Sequence, residues 1–250
     1  MTATILEPSS HTRARTASEY AGPRAESARA VVQRSDFQMI AQHMFSLMMR
    51  NVASDGFLVE DPVEQGRFAK PGCIIAAPSY PANSPGVDQD YVFNWTRDAA
   101  ITAMELVASG MPAKPASGVE PLEDYVRFAA ICQGNAIPTL AHACFTIEGN
   151  SRPWTEQNDG PALQTLAVLR AFTQLDEPTR DLARQVIGRN LDFLIGAYQQ
   201  QTTNVWEEHS GYSFFARAVQ LRCFREISTN TIGVTVPADV GKRPTGCGAP

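Results

Sequence analysis

The chain has 250 residues, enough for one large domain or two small ones, and its 44% hydrophobic and 19% charged residues are those of an ordinary globular protein. A net charge of −5 and a pI of about 5.4 argue against nucleic acid or an anionic membrane as partner. No apolar run reaches the ~18 residues that span a bilayer. The five cysteines have no Cys-x-x-Cys spacing, so they suggest neither a zinc site nor a disulfide framework.

Residues 1–34 are polar and rich in Ser, Thr, Ala and Arg, without a sustained period, and read as a disordered leader. Arg13, Arg15, Arg24 and Arg29 suggest an organelle-targeting peptide, which Glu7, Glu19 and Glu26 oppose. With no apolar signal core, a cytoplasmic location is expected. Asp36 to Val52 is the first clear helix. Phe37, Ile40, Ala41, Met44 and Met48 form its apolar stripe, and Ser35 or Asp36 can cap it.

Asp55 to Asn94 is long, irregular and interrupted by Pro62, Pro71, Pro78, Pro81 and Pro85, and loops of this length are usually functional. Within it, residues 73–77 suggest a short buried strand. Asp88 and Asp90 are too sparse to make a calcium site. Asp98 then caps a helix through Ala108 that is apolar nearly all round, a mark of burial. Leu122 to Gln133 is amphipathic, with Tyr125, Phe128, Ala129 and Cys132 on one side, and Ile137 to Phe145 is expected to continue as a short helix.

Asp159-Gly160-Pro161 starts another helix, apolar on most sides as far as Leu175. Thr179 to Tyr198 is amphipathic. Gln199 to Gly211 is polar, and Tyr212 to Ile227 is helical again, with Phe214, Phe215, Ala218, Val219 and Cys223 as its apolar set. Amphipathic helices thus alternate with mostly apolar ones, the pattern expected of a double-layered toroid of helical hairpins. The irregular segments that precede the apolar helices would gather at one end of it.

Three of those segments carry the candidate chemistry. One holds Tyr91, Trp95, Arg97 and Asp98, the next Arg152, Trp154, Asn158 and Asp159, and the last Trp206, Glu207 and Glu208. Pyranose rings pack their CH-rich faces on aromatics, and their hydroxyls need charged or amide partners. A carboxyl walled by an indole favours its protonated form, which suits a general acid. Glu207 and Glu208 are adjacent, so in an extended segment they point to opposite sides and must do different jobs. The competing readings are helix caps for Asp98 and Asp159, core positions for Trp95 and Trp154, and a solvated acid pair for the two glutamates. His43 and His142 read as satisfied helix residues and His209 as a loop residue. No metal or cofactor is called for.

The residues Tyr91-Val-Phe-Asn-Trp-Thr-Arg-Asp98, Gln157-Asn-Asp-Gly-Pro-Ala-Leu163, and Val205-Trp-Glu-Glu208 followed by Gly211-Tyr-Ser-Phe-Phe-Ala resemble, in order, the motifs of glycoside hydrolase family 15, the glucoamylases. The resemblance implies an all-α (α/α)6 barrel, incomplete and about half present, with six of twelve barrel helices. It divides the chain into the leader 1–34, a partial catalytic domain at 35–237 and an irregular tail at 238–250.

The resemblance makes Glu207 the general acid and Glu208 a sugar-hydroxyl ligand. Arg97 and Asp98 become holders of the non-reducing glucose, and Tyr91, Trp95 and Trp206 aromatics around it. Trp154 and Asp159 are further candidates. The implied reaction is release of β-glucose from the non-reducing ends of α-glucans, with inversion. The alternatives are a non-catalytic glycan-binding helical module, or cleavage of trehalose or isomalto-type links. The chain departs from the family pattern at Asn204, where many relatives carry an acid, and at His209. It departs again at Arg152-Pro-Trp-Thr-Glu, where Trp-Gly-Arg-Pro is usual. No segment matches the family's general base, so the chain is expected to be a truncated form with little turnover alone.

Overall fold

The computed structural model describes residues 35–54, 58–61, 64–78, 91–109, 120–238 and 240. The leader, Asp88 and Asp90, Cys247 and all but Ala238 and Val240 of the tail lie outside them. The chain divides into two units, residues 1–47 and 48–250. The first is described from Ser35 onward as helix α1 (Ser35–Met49), whose Phe37, Ile40 and Met44 are exposed.

The second unit is built on five further helices: α2 (Thr96–Ala108), α3 (Pro121–Asn135), α4 (Gly160–Ala171), α5 (Glu177–Ala197) and α6 (Phe214–Ser228). Helix α4 packs on α2, α5 and α6, and α3 packs on α5 and α2. The result is an inner row, α2–α4–α6, backed by an outer row, α3–α5. This two-layered alternation is the one expected from the sequence. Helix α4 has ten of its twelve residues buried, every one but Leu169 and Arg170, because Gly160, Ala162, Ala167 and Ala171 let neighbours close on all sides. Proline occupies the first turn of α3, α4 and α5, where its missing N–H costs no hydrogen bond. Asp176 caps α5 by accepting from the Thr179 N–H at 2.8 Å, and Ser213 caps α6 through Ala216. No described helix is long and apolar enough to cross a membrane.

A buried amide cluster fixes the register between the rows. The Gln133 side-chain amide donates to Asn190 Oδ1 (2.8 Å), Val186 O (3.0 Å) and Gln164 Oε1 (3.2 Å), and Asn190 Nδ2 donates to Gln164 Oε1 (3.1 Å). Gliding any one helix by a turn would strand several buried polar atoms at about 1–3 kcal/mol each. Under the loops, Ala53, Val59, Ala69, Cys73, Ile75, Val92, Phe128, Cys132, Phe145 and Ile147 form a separate apolar core. Cys73, Cys132, Cys144 and Cys223 are buried, and burial pushes the Cys223 thiol up to about 12.

Several local expectations are corrected. Residues 137–145 form no helix: Pro138 cannot donate to a continuing helical ladder, and Cys144–Phe145 instead forms strand β2, paired antiparallel with β1 (Asn94–Trp95). His142 therefore lies outside any helix and bonds the Ile137 carbonyl at 3.2 Å. Ile74 joins Val52 through an isolated antiparallel bridge rather than in a strand, although residues 73–75 are buried as predicted. Helix α2 is buried on one side only, with Ile101 exposed. Helix α6 buries Ala216, Gln220, Cys223, Phe224 and Ile227, so Phe214 and Phe215 lie outside its packed stripe. A second small hairpin, β3 (Thr202–Thr203) with β4 (Ser210–Gly211), frames the turn that holds the two glutamates.

Two structural features generate tests. Gly72 has φ +85°, and a Cβ there would lie 1.9 Å from the Asp124 carbonyl oxygen of α3. Gly72→Ala should lose about 3 kcal/mol or more of stability in urea titration, through left-handed strain plus a backbone clash. Arg67 grips Glu148 by two nitrogens, one contact at 2.8 Å, and this holds the Glu148 carboxyl down at about 2 from an ordinary 4.5. A lowered carboxylate stabilises the fold above its unfolded value, and that contribution disappears as pH falls from about 4.5 towards 2. Glu148→Gln should flatten the stability loss across that window.

Candidate active site

The three polar segments meet through a chain of hydrogen bonds. The first segment enters α2 from β1. Asp98 was expected to cap this helix, but α2 starts at Thr96, and Asp98 lies in the first turn without a side-chain capping bond. The residue as a whole is exposed, but surrounding atoms partly shield its carboxyl, and its place in the first turn puts it near the positive end of the helix. Burial by surrounding atoms raises the Asp98 pKa, while Arg97 and the residue's own backbone N–H pull it down.

Asp159 does occupy the position before α4, yet its side chain makes no capping bond. It accepts instead from Arg97 Nη1 at 2.7 Å, with side-chain exposures of 17% for Arg97 and 3% for Asp159. The same Nη1 donates to Gln157 Oε1 at 3.0 Å. Gln157 then passes the contact on, its Nε2 donating to Glu207 Oε1 (3.3 Å) and to the Asn204 carbonyl (3.2 Å). The second carboxylate oxygen of Glu207 receives the Trp154 indole N–H at 2.7 Å.

The backbone explains why these segments converge. Gly160 at the start of α4 lies against Thr96 at the start of α2, where an added Cβ would sit 3.1 Å from the threonine side chain. Asn158 N–H donates to Thr202 Oγ1 (2.9 Å), and Thr203 N–H donates to Glu156 O (3.1 Å), which fastens the 156–158 run to the β3 hairpin. Inside that hairpin Asn204 folds the turn. Its carbonyl accepts the Glu207 N–H at 3.0 Å, and its Oδ1 accepts the Glu208 N–H at 3.0 Å. Glu207 is held at φ 63°, where it is the one non-glycine with positive φ among the described residues. An L residue there stores about 1–2 kcal/mol, and such strain persists where surrounding contacts over-determine it.

The candidates therefore separate. Glu207, Arg97, Asp159 and Trp154 are joined. Trp95 meets Trp154 edge to face, ring centres 6.2 Å apart. Glu208 is exposed, and its backbone N–H, not its carboxylate, makes the bond to Asn204. The two glutamates do part company, but through a tight turn with Glu207 at φ 63° rather than through alternation along an extended run. Tyr91 and Trp206 are 58% and 78% exposed. The indole against Glu207 is accordingly Trp154, more than fifty positions back in the chain, and not the adjacent Trp206.

Two residues of the chain of contacts were not among the predicted site residues. Gln157 was quoted only as part of a motif, and Asn204 only as a departure from one. A polar residue 3% exposed between two charged segments was the signal for Gln157, but burial is not visible in a sequence. Among the described residues no group of three or more His, Cys, Asp or Glu is placed to hold a metal ion.

Known proteins agree with this architecture. The family model for glycosyl hydrolases family 15 matches residues 44–231, and the chain belongs to that family. A probable glucoamylase of Schizosaccharomyces pombe is 26% identical over 198 residues, covering 72% of this chain and 40% of its own length. A glucoamylase of Saccharomycopsis fibuligera is 28% identical, covering 62% of this chain and 35% of its own. Among solved structures, the Hormoconis resinae glucoamylase superposes with a TM-score of 0.61 at 22% identity, over 81% of this chain and 36% of that one. The chain thus spans about 40% or less of the length of these relatives.

The strain at Glu207 can be measured. Glu207→Ala and Glu207→Gly both delete the carboxylate, and they differ in the cost of φ 63°. The glycine variant should be the more stable by about 1 kcal/mol in denaturant melts, reversing the usual order of these two residues.

Proposed function

We propose that this chain forms the acid-donating part of a site that hydrolyses α-glucans from their non-reducing ends. The carrying observation is Glu207, strained in backbone and bonded through both carboxylate oxygens, to Trp154 and to Gln157. A general acid must present one oxygen at a fixed place beside the glycosidic oxygen. Two side-chain donors and a closed turn supply that fixity. Glu207 is the proton donor in this reading. Asp98, exposed beside Arg97 at the start of α2, takes sugar hydroxyls, and Glu208 takes another. Trp206 and Tyr91 offer open aromatic faces for ring packing. The Trp154 ring is already covered by Arg152, and its N–H serves Glu207. The curated relatives named glucoamylases support the substrate class, and a solved glycosidase captured with glucose, also similar in fold, supports a sugar ligand.

An inverting hydrolase needs a second carboxylate, about 6.5–9.5 Å from the acid, to activate water. Asp159 is committed to Arg97, and the resemblance makes Asp98 and Glu208 sugar ligands rather than the base. The 250-residue chain should therefore bind maltooligosaccharides while releasing little or no glucose.

Calorimetry with maltose, and a glucose assay on maltoheptaose, test this. Saturable binding is expected, retained in Glu207→Gln and weakened about tenfold or more in Asp98→Ala, which removes a charged hydrogen-bond acceptor. Asp98 is the better probe because Arg97→Ala would strand a buried Asp159 carboxylate at a cost of about 3–5 kcal/mol. Binding should also weaken on acidification, from a midpoint above the ordinary aspartate value of 3.8, as raised Asp98 takes its proton. Absence of saturable binding would overturn the sugar-site reading. Robust glucose release would instead show that a working base lies within these residues.

A further inference from the structure

Trp154 is the donor that fixes one oxygen of Glu207, yet it stands in a run, Arg152-Pro-Trp-Thr-Glu, that departs from the pattern it resembles. Something must hold an indole that is 38% exposed with its N–H aimed at a carboxylate. The Arg152 guanidinium carbon lies 4.4 Å from the Trp154 ring centre and 4.2 Å from that of Phe93. One planar cation is thus in contact with two aromatic rings from different segments. The backbone of Arg152 is itself anchored, its N–H donating to the Cys144 carbonyl of β2 at 3.3 Å. Phe93 is anchored too, its carbonyl accepting the Ala76 N–H. The edge of the indole is braced by Trp95.

We propose that Arg152 is a positioning residue: stacked against Phe93 and Trp154, it sets the indole so that its N–H holds Glu207. It acts through Trp154 and touches neither substrate nor reacting atoms. Arginine suits this place because its guanidinium is planar, stays charged and is weakly hydrated, so it lies flat on aromatic faces as lysine does not. The proposal rests on Glu207 being the functional carboxylate, but its test does not depend on turnover.

The full chain has three tryptophans, so 15N labelling gives three indole N–H signals. Trp154→Phe identifies the one that belongs to Trp154, and Glu207→Gln marks how far that signal moves when its carboxylate acceptor is replaced. Arg152→Ala should displace the Trp154 signal as Glu207→Gln does, leaving that of exposed Trp206 in place. Arg152→Lys, which keeps the charge and loses the plane, should give a partial displacement. Phe93→Leu, which removes the second ring, should move the Trp154 signal in the same direction as Arg152→Ala and serves if that variant does not fold. A Trp154 signal at its original position in folded Arg152→Ala, or unmoved in Phe93→Leu, would overturn the proposal. Glucose release and maltose binding, measured in parallel, report on the function reading separately. An inactive chain with a displaced Trp154 signal leaves Arg152 as the positioning residue and counts against the reaction alone.

Discussion

The ion pair between Arg97 and Asp159 is the joint on which the site depends. It links the first turn of α2 to the residue that precedes α4, so it ties together the first two helices of the inner row. Asp159 is almost wholly removed from water, and a charge in that position is tolerable because the guanidinium lies against it. The same nitrogen that neutralises Asp159 also orients the Gln157 side chain, which turns its amide N–H towards Glu207. Charge neutralisation and the placing of the Glu207 carboxylate are thus handled by one guanidinium. Coupling of this kind makes the site sensitive to packing far from its mouth.

The two adjacent glutamates show how local backbone geometry assigns chemistry. Asn204 accepts both following N–H groups, one on its carbonyl and one on its side chain, and that closes the turn tightly enough to force Glu207 into left-handed space. Glu207 is drawn in towards Gln157 and Trp154, and Glu208 remains in solvent. The departure at Asn204 is therefore compatible with a structural role, because the bond to the Glu208 N–H needs a short side-chain oxygen, which both Asn and Asp supply.

Much of this was legible in the sequence because it rests on period and punctuation. The alternation of amphipathic and apolar helices and the proline-led start of α4 follow from local rules, and so does the grouping of polar segments before the inner helices. What failed did so where tertiary contacts overrode local preference. Asp98 and Asp159 have the look of caps, yet Arg97 takes Asp159 away from its helix. Residues 137–145 have helical periodicity, but Asn94 and Trp95 recruit their end into a sheet. Phe214 and Phe215 look like core, but the packed face of α6 follows Ala216, Gln220 and Cys223. The sequence assigned no particular indole to Glu207, and the contact came from one 53 positions back. Pairings across fifty residues leave no periodic trace, so only the family resemblance could have suggested them.

The tight approach of Gly160 to Thr96 has a consequence for how such a site diversifies. With no room for a Cβ to be added freely between α2 and α4, the distance between these two helix ends cannot be adjusted by substitution without disturbing both. The helix ends that carry the candidate site are therefore fixed relative to each other. The 152–157 run and the 204–208 turn are held by hydrogen bonds and stacking rather than by helix packing, and these can exchange residues more cheaply. Variation should accumulate in those two loops, over helix ends that sequence drift leaves alone.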